Sequence, residues 1–160
     1  MAEIDPAVSA ALARMEATGK LEGVEFEHYV GGGLPPPYYH SEQLRLIARD
    51  GRDTIEFAKA NFSSKPAKDT PYPRDVYQLV AQAEDVKSLA RVLRAGRAFD
   101  AAAPTVQIAD SVRIELVLTV GGKPHKAIYQ GLPPALEPLD TLVDAFIARA
   151  KSQGRHKLEP

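Results

Sequence analysis

The 160-residue chain has the length of one domain, with enough residues to bury a core unaided by disulfides or metal. Its 44% hydrophobic and 26% charged content is that of a globular protein, and its formal net charge of −1 argues against nucleic-acid binding. Cysteine is absent, which removes disulfides, thiolate nucleophiles and cysteine-ligated metals. With no secretory signal and no apolar run of about 20 residues, we expect a cytoplasmic protein without a membrane partner.

The first predicted element is an N-terminal helix within residues 1–19. Asp5 suits the N-cap, Pro6 the first helical position and Gly19 the C-terminal end. Three apolar residues share one face at helical spacing: Val8, Leu12 and Met15. Because this stripe is modest, we expect the helix to dock weakly on, or lie apart from, one domain spanning residues 20–151.

Strands follow. Residues 24–30 alternate apolar and polar side chains, with His28 on the apolar side. Asp50-Gly51 lies between two strand-like runs and predicts a hairpin whose inward residues are Leu44, Leu46, Ile55 and Phe57. A second hairpin is predicted around Gly121-Gly122, where the first strand has apolar residues at alternate positions from 112 to 120.

Two further helices are predicted in the second half of the chain. Apolar residues at helical spacing predict a long central helix from Arg74 to about Ala95, ended by Gly96. Pro133 and Pro134 introduce a C-terminal helix with a wide apolar stripe, and residues 152–160 are expected to be a frayed tail. Hairpins in place of alternating strand–helix units predict an α+β domain, with an antiparallel sheet covered on one face by helices.

The segment "YVGGGLPPPYYHSEQL", residues 29–44, has the least ordinary composition. Glycines after a strand can cradle phosphate, but the next residues, Pro35 to Pro37, have no N–H to donate, which argues against a nucleotide site. Two P-P-x-Y patterns occur between Pro35 and Tyr39, as in ligands of WW-type domains. Their place between two strands favours a segment folded against the sheet.

Catalytic and metal-binding patterns are weak in this sequence. The four histidines, His28, His40, His125 and His156, have no metal-binding spacing, so neither a metal nor a cofactor is expected. His28 is expected to be a histidine at the core edge, hydrogen-bonded to backbone. His40 could share a face with Glu42 and line a small pocket with Tyr38, which leaves a small hydrolase or lyase as an alternative.

Charged residues form two patterns. Glu25 and Glu27 share the polar side of the first strand and are typical of a solvated sheet face. A basic row recurs at helical spacing and could contact an anionic partner, although such rows are usually solvated: Lys87, Arg91, Arg94 and Arg97.

From Val24 to about Ala150 the layout resembles emfourin, a family of small protein inhibitors of thermolysin-like metalloproteases. The similar parts are "YVGGGLPPPYY", the central helix, the hairpin "SVRIELVLTVGGKPHKAIYQ" and the closing helix "LPPALEPLDTLVDAFI". The N-terminal helix and "PPPYYH" depart from that layout, and no inhibitory residue is carried over. The resemblance implies a protein that binds another protein, such as a protease, and does no chemistry.

These patterns lead to the expectation of a non-enzymatic protein-binding module, inhibitor- or adaptor-like, that acts by surface complementarity. Its predicted contact residues lie where prolines stiffen the chain and tyrosines offer anchors: Gly33, Pro36, Pro37, Tyr38, Tyr39 and His40. A structural accessory subunit, with a partner helix on the sheet, is a further alternative.

Overall fold

The computed structural model describes residues 5–31, 42–61, 73–100 and 113–159. Its three α-helices are α1 (Pro6–Thr18), α2 (Ala83–Ala95) and α3 (Glu137–Gln153), the last preceded by a 3-10 turn at Pro134–Leu136. The seven strands are β1 (Val24–Gly31), β2 (Glu42–Arg49), β3 (Arg52–Ala60), β4 (Arg74–Val80), β5 (Arg113–Val120), β6 (Lys123–Tyr129) and β7 (Arg155–Glu159).

The strands form one antiparallel sheet in the order β6-β5-β1-β2-β3-β4-β7. Both predicted hairpins are confirmed. Asp50 and Gly51 take positive φ of 52° and 75°, and Gly121 and Gly122 take 58° and 83°, as two-residue hairpin turns require. The first turn sets Arg49 opposite Arg52 and therefore Arg45 opposite Glu56.

The three helices cover one face of this sheet, which confirms the predicted α+β class. The main core joins helix residues such as Leu12, Leu89 and Phe146 to strand residues such as Phe26 and Leu116. We call this side the helix face and the opposite side of the sheet the second face. Side chains on the second face include Arg45, Glu56 and Gln78, as strand register dictates.

Two sequence expectations about the helices are wrong. Helix α1 does not lie apart, because Val8, Ala11, Leu12 and Met15 are buried in the main core. The central helix does not begin at Arg74, because residues 74–80 form strand β4 between β3 and β7. Strand β4 has apolar residues on both faces, and their positions imitate helical spacing. Helix α2 begins at Ala83, where the Gln82 N–H donates to the Asp85 carboxylate at 2.7 Å.

The expectation of a frayed tail at residues 152–160 is also wrong, because most of this segment is ordered as the end of α3 and a strand. After Gly154 the chain turns back, and Arg155–Glu159 pairs with β4 as the outermost strand at that end of the described sheet. His156 stacks on Tyr77 with a centroid separation of 4.7 Å, and its Nε2 lies 2.8 Å from the Asp75 carboxylate. These contacts fix the register of a short strand that has few apolar residues.

Candidate functional site

All six residues predicted to contact a partner through the Pro/Tyr segment lie outside the described residues. These are Gly33, Pro36, Pro37, Tyr38, Tyr39 and His40, so their role stays a prediction, as does the alternative site that uses Tyr38 and His40. Its third member, Glu42, is the first residue of β2, and its carboxylate lies 4.0 Å from the Lys59 ammonium.

The predicted basic row runs along and beyond α2. Arg91 and Arg94 both pair with Glu16 of α1, and Arg97 pairs with Asp100. An anionic partner would have to compete with these internal carboxylates, so the row has less free positive charge than its sequence suggests.

A buried carboxylate organises the second face of the sheet. Glu56 is 3% exposed and accepts hydrogen bonds from Arg45, from Arg49 Nε at 3.3 Å and from Gln78 Nε2 at 2.8 Å. Burial alone would raise the pKa of Glu56, but the hydrogen bonds from Gln78, Arg45 and Arg49 and the charge of Arg45 together lower it below its usual value. Glu56 therefore stays ionised and fixes two arginines and a glutamine.

Beside this cluster lies a cavity of about 310 Å³, which we call the arginine cavity. The described residues that line it include the basic Arg49, Arg52 and Arg155 and the acidic Asp50. Arg49 is paired with Glu56, whereas Arg52 and Arg155 form no ion pair with any described residue. The described lining of the cavity therefore has uncompensated positive charge.

The arginine cavity adjoins the edge of the sheet. Arg155 is the first residue of β7, whose outer side pairs with none of the described strands. Arg155 and Lys157 point to the second face, while His156 and Leu158 point to the helix face. Leu158 is 51% exposed, and Val80 of the adjacent β4 is 43% exposed; both are large apolar side chains.

A second cavity, of about 260 Å³, lies between the sheet and α3, on the helix face. His28 lines it, 5% exposed, with a buried Nε2 that has no hydrogen-bond partner in the described part of the chain. Burial lowers the pKa of His28, against a smaller raising effect of Asp140 and of a hydrogen bond to its own backbone. The burial of His28 agrees with its expected place at the edge of the core, its backbone hydrogen bond stays a prediction, and the cavity was not foreseen.

Sequence reasoning missed Glu56 and the arginines around it. The hairpin register was the available signal, since a two-residue turn at Asp50-Gly51 already places Arg45 opposite Glu56. The contribution of β7 had no comparable signal, because its sequence, RHKLE, is mostly charged.

Within the described ranges, no three histidine, aspartate or glutamate side chains are grouped so that they could hold a metal ion. None of the described helices is long and apolar enough to cross a membrane. Comparison with known proteins adds no identification: neither a protein-family model nor a curated protein sequence matches this chain.

Proposed function

We propose that this chain is a non-enzymatic protein-binding module that docks an extended, acidic segment of its partner along strand β7. One observation carries the proposal: Arg155 lies both on a strand whose outer side pairs with no described strand and in a cavity whose described lining has uncompensated positive charge.

The edge strand supplies the main-chain part of the binding. Extended segments add to exposed sheet edges through backbone hydrogen bonds, and the side chains at alternate positions provide specificity. Here the strand alternates basic residues on the second face with His156 and Leu158 on the helix face. A matching segment would alternate acidic and apolar residues.

The positive charges around this edge would favour pairing with acidic segments over pairing with basic ones. Exposed edges are protected from indiscriminate pairing by charged side chains, lysine and arginine among them. Of the two basic residues on β7, Lys157 has Glu159 at 3.2 Å, whereas Arg155 has no described acidic partner. Acidic segments would be attracted and basic ones repelled, while Arg52 offers a guanidinium fork to a further carboxylate.

Inhibition of a protease, the activity of the family that the layout resembles, would be one form of this function. We propose that the chain acts in the cytoplasm, in line with the expectation from its sequence. The Pro/Tyr segment, with Tyr38 and Tyr39, stays a predicted second contact.

The test is fluorescence anisotropy with a labelled eight-residue peptide that alternates glutamate and valine. We expect saturable binding to the wild type and at least tenfold weaker binding to the double variant Arg52→Ala/Arg155→Ala, a loss of about 1.4 kcal/mol. A matched control, Arg113→Ala/Lys126→Ala, removes the same charge from the far end of the second face, where both residues pair with Glu115.

Equal affinities for the wild type and both double variants would contradict the proposal, as would equal binding of a lysine–valine peptide. Binding of heparin without binding of the acidic peptide would also overturn it, because it would identify a general polyanion site.

A further inference from the structure

The second cavity has the chemistry of an independent binding site. Its apolar walls come from four strands and α3: Val30, Leu44, Phe57, Ile114, Val143 and Ile147. Leu44, Phe57 and Val143 are buried in the core, so this part of the cavity is fixed by the fold. Such walls suit an aliphatic group of a few carbon atoms.

Among the described residues that line this cavity, every charged one is acidic. They are Glu42 from β2 and Asp140 and Asp144 from α3. Asp140 and Asp144 are one helical turn apart, so their carboxylates repel each other, and neither pairs with a described cation. Glu42 has only Lys59, at 4.0 Å. The described lining therefore carries net negative charge that a cationic ligand would neutralise.

The second, independent observation is a buried ring nitrogen without a partner. Only 5% of the surface of His28 is exposed, and its Nε2 has no hydrogen-bond partner among the described residues. A neutral imidazole carries its proton on one ring nitrogen and has a lone pair on the other. With the proton on Nδ1, Nε2 has a free lone pair and accepts a hydrogen bond from a ligand.

We propose that this cavity binds a primary alkylammonium group, with its N–H groups directed to His28 Nε2 and the carboxylates and its stem against the apolar walls. A compact ammonium has three donors and no acceptor, which matches the carboxylate acceptors of the described lining. The shared chemistry could come from a free amine or from a lysine side chain of a protein.

This site is separate from the docking edge proposed above. The arginine cavity involves the turn between β2 and β3, the end of β4 and β7, whereas the second cavity lies under α3 on the helix face. Either site can fail its test without affecting the other.

The test titrates the full chain with n-butylammonium and measures binding by NMR of the His28 imidazole. We expect saturable shifts of its ring signals with n-butylammonium and none with n-butanol, which has the same stem without the charge. The double variant Asp140→Asn/Asp144→Asn should bind at least tenfold more weakly. Its control, Glu22→Gln/Glu25→Gln, removes two exposed carboxylates elsewhere and should bind like the wild type.

His28→Leu keeps an apolar group of similar size and should lose binding, read from the methyl signals of Ile114 and Val143. N-acetyl-lysine methylamide gives the second arm: tighter binding than n-butylammonium identifies a protein side chain as the source, and weaker binding identifies a free amine. Absence of saturable shifts, equal binding of butanol, or unchanged affinity in the aspartate variant would overturn the proposal.

Discussion

At the scale of the residue, Glu56 is the side chain on which the second face depends. A buried carboxylate with three donors stays ionised because hydrogen bonds replace its lost hydration. Arg45 lies directly opposite this acid in the hairpin and donates a hydrogen bond to it. Its position could be predicted from the turn, but its burial could not, because burial depends on neighbouring strands far along the chain.

Replacing Glu56 with glutamine should lower the free energy of unfolding by about 2 kcal/mol at pH 7, since charge-assisted hydrogen bonds are lost in a buried place. Because the folded-state pKa of Glu56 is lowered, its contribution is present above about pH 4.5 and is lost as the pH falls through the folded-state pKa. Urea unfolding at several pH values measures both effects. Glu25→Gln, exposed on the same face, should change stability by less than about 0.5 kcal/mol, and equal losses in both variants would contradict this account.

At the scale of the element, turn chemistry made both hairpins predictable, whereas apolar spacing misplaced the start of α2. Strand β4 is bordered by β3 and β7 and packs side chains on both faces, so Val76, Leu79 and Val80 have no clean alternation. The signal that marks the true start of the helix is Asp85, three residues after the N-cap.

Asp85 also joins α2 to α3, so its replacement should weaken both the start of α2 and the contact between the two helices. Arg149 donates to the two carboxylate oxygens at 2.7 and 3.2 Å, and this hydrogen bonding raises the pKa of Arg149. Asp85→Asn should therefore cost about 1–2 kcal/mol, because the cap and the ion pair are weakened together. Thermal unfolding measures the loss. Glu84→Gln, one position earlier and exposed, is the control, and an equal change in melting temperature would refute the double role.

At the scale of the whole molecule, a formal net charge of −1 conceals two cavities of opposite character. Arginines converge on the second face near β7, and carboxylates converge under α3 on the helix face. Neither grouping could be predicted from the sequence, since Arg52 and Arg155 are about a hundred positions apart and come together only because β7 returns to pair with β4.

The central claim is that a partner adds a strand to β7, and amide hydrogen exchange of residues 155–159 tests it most directly. With the glutamate–valine peptide at saturation, the β7 amides that do not bond to β4 should exchange at least tenfold more slowly, because they become hydrogen-bonded in an extended sheet. The amides of β6, at the opposite edge, should be unchanged. Unaltered exchange in β7 under saturating peptide, or slowing confined to β6, would contradict the account.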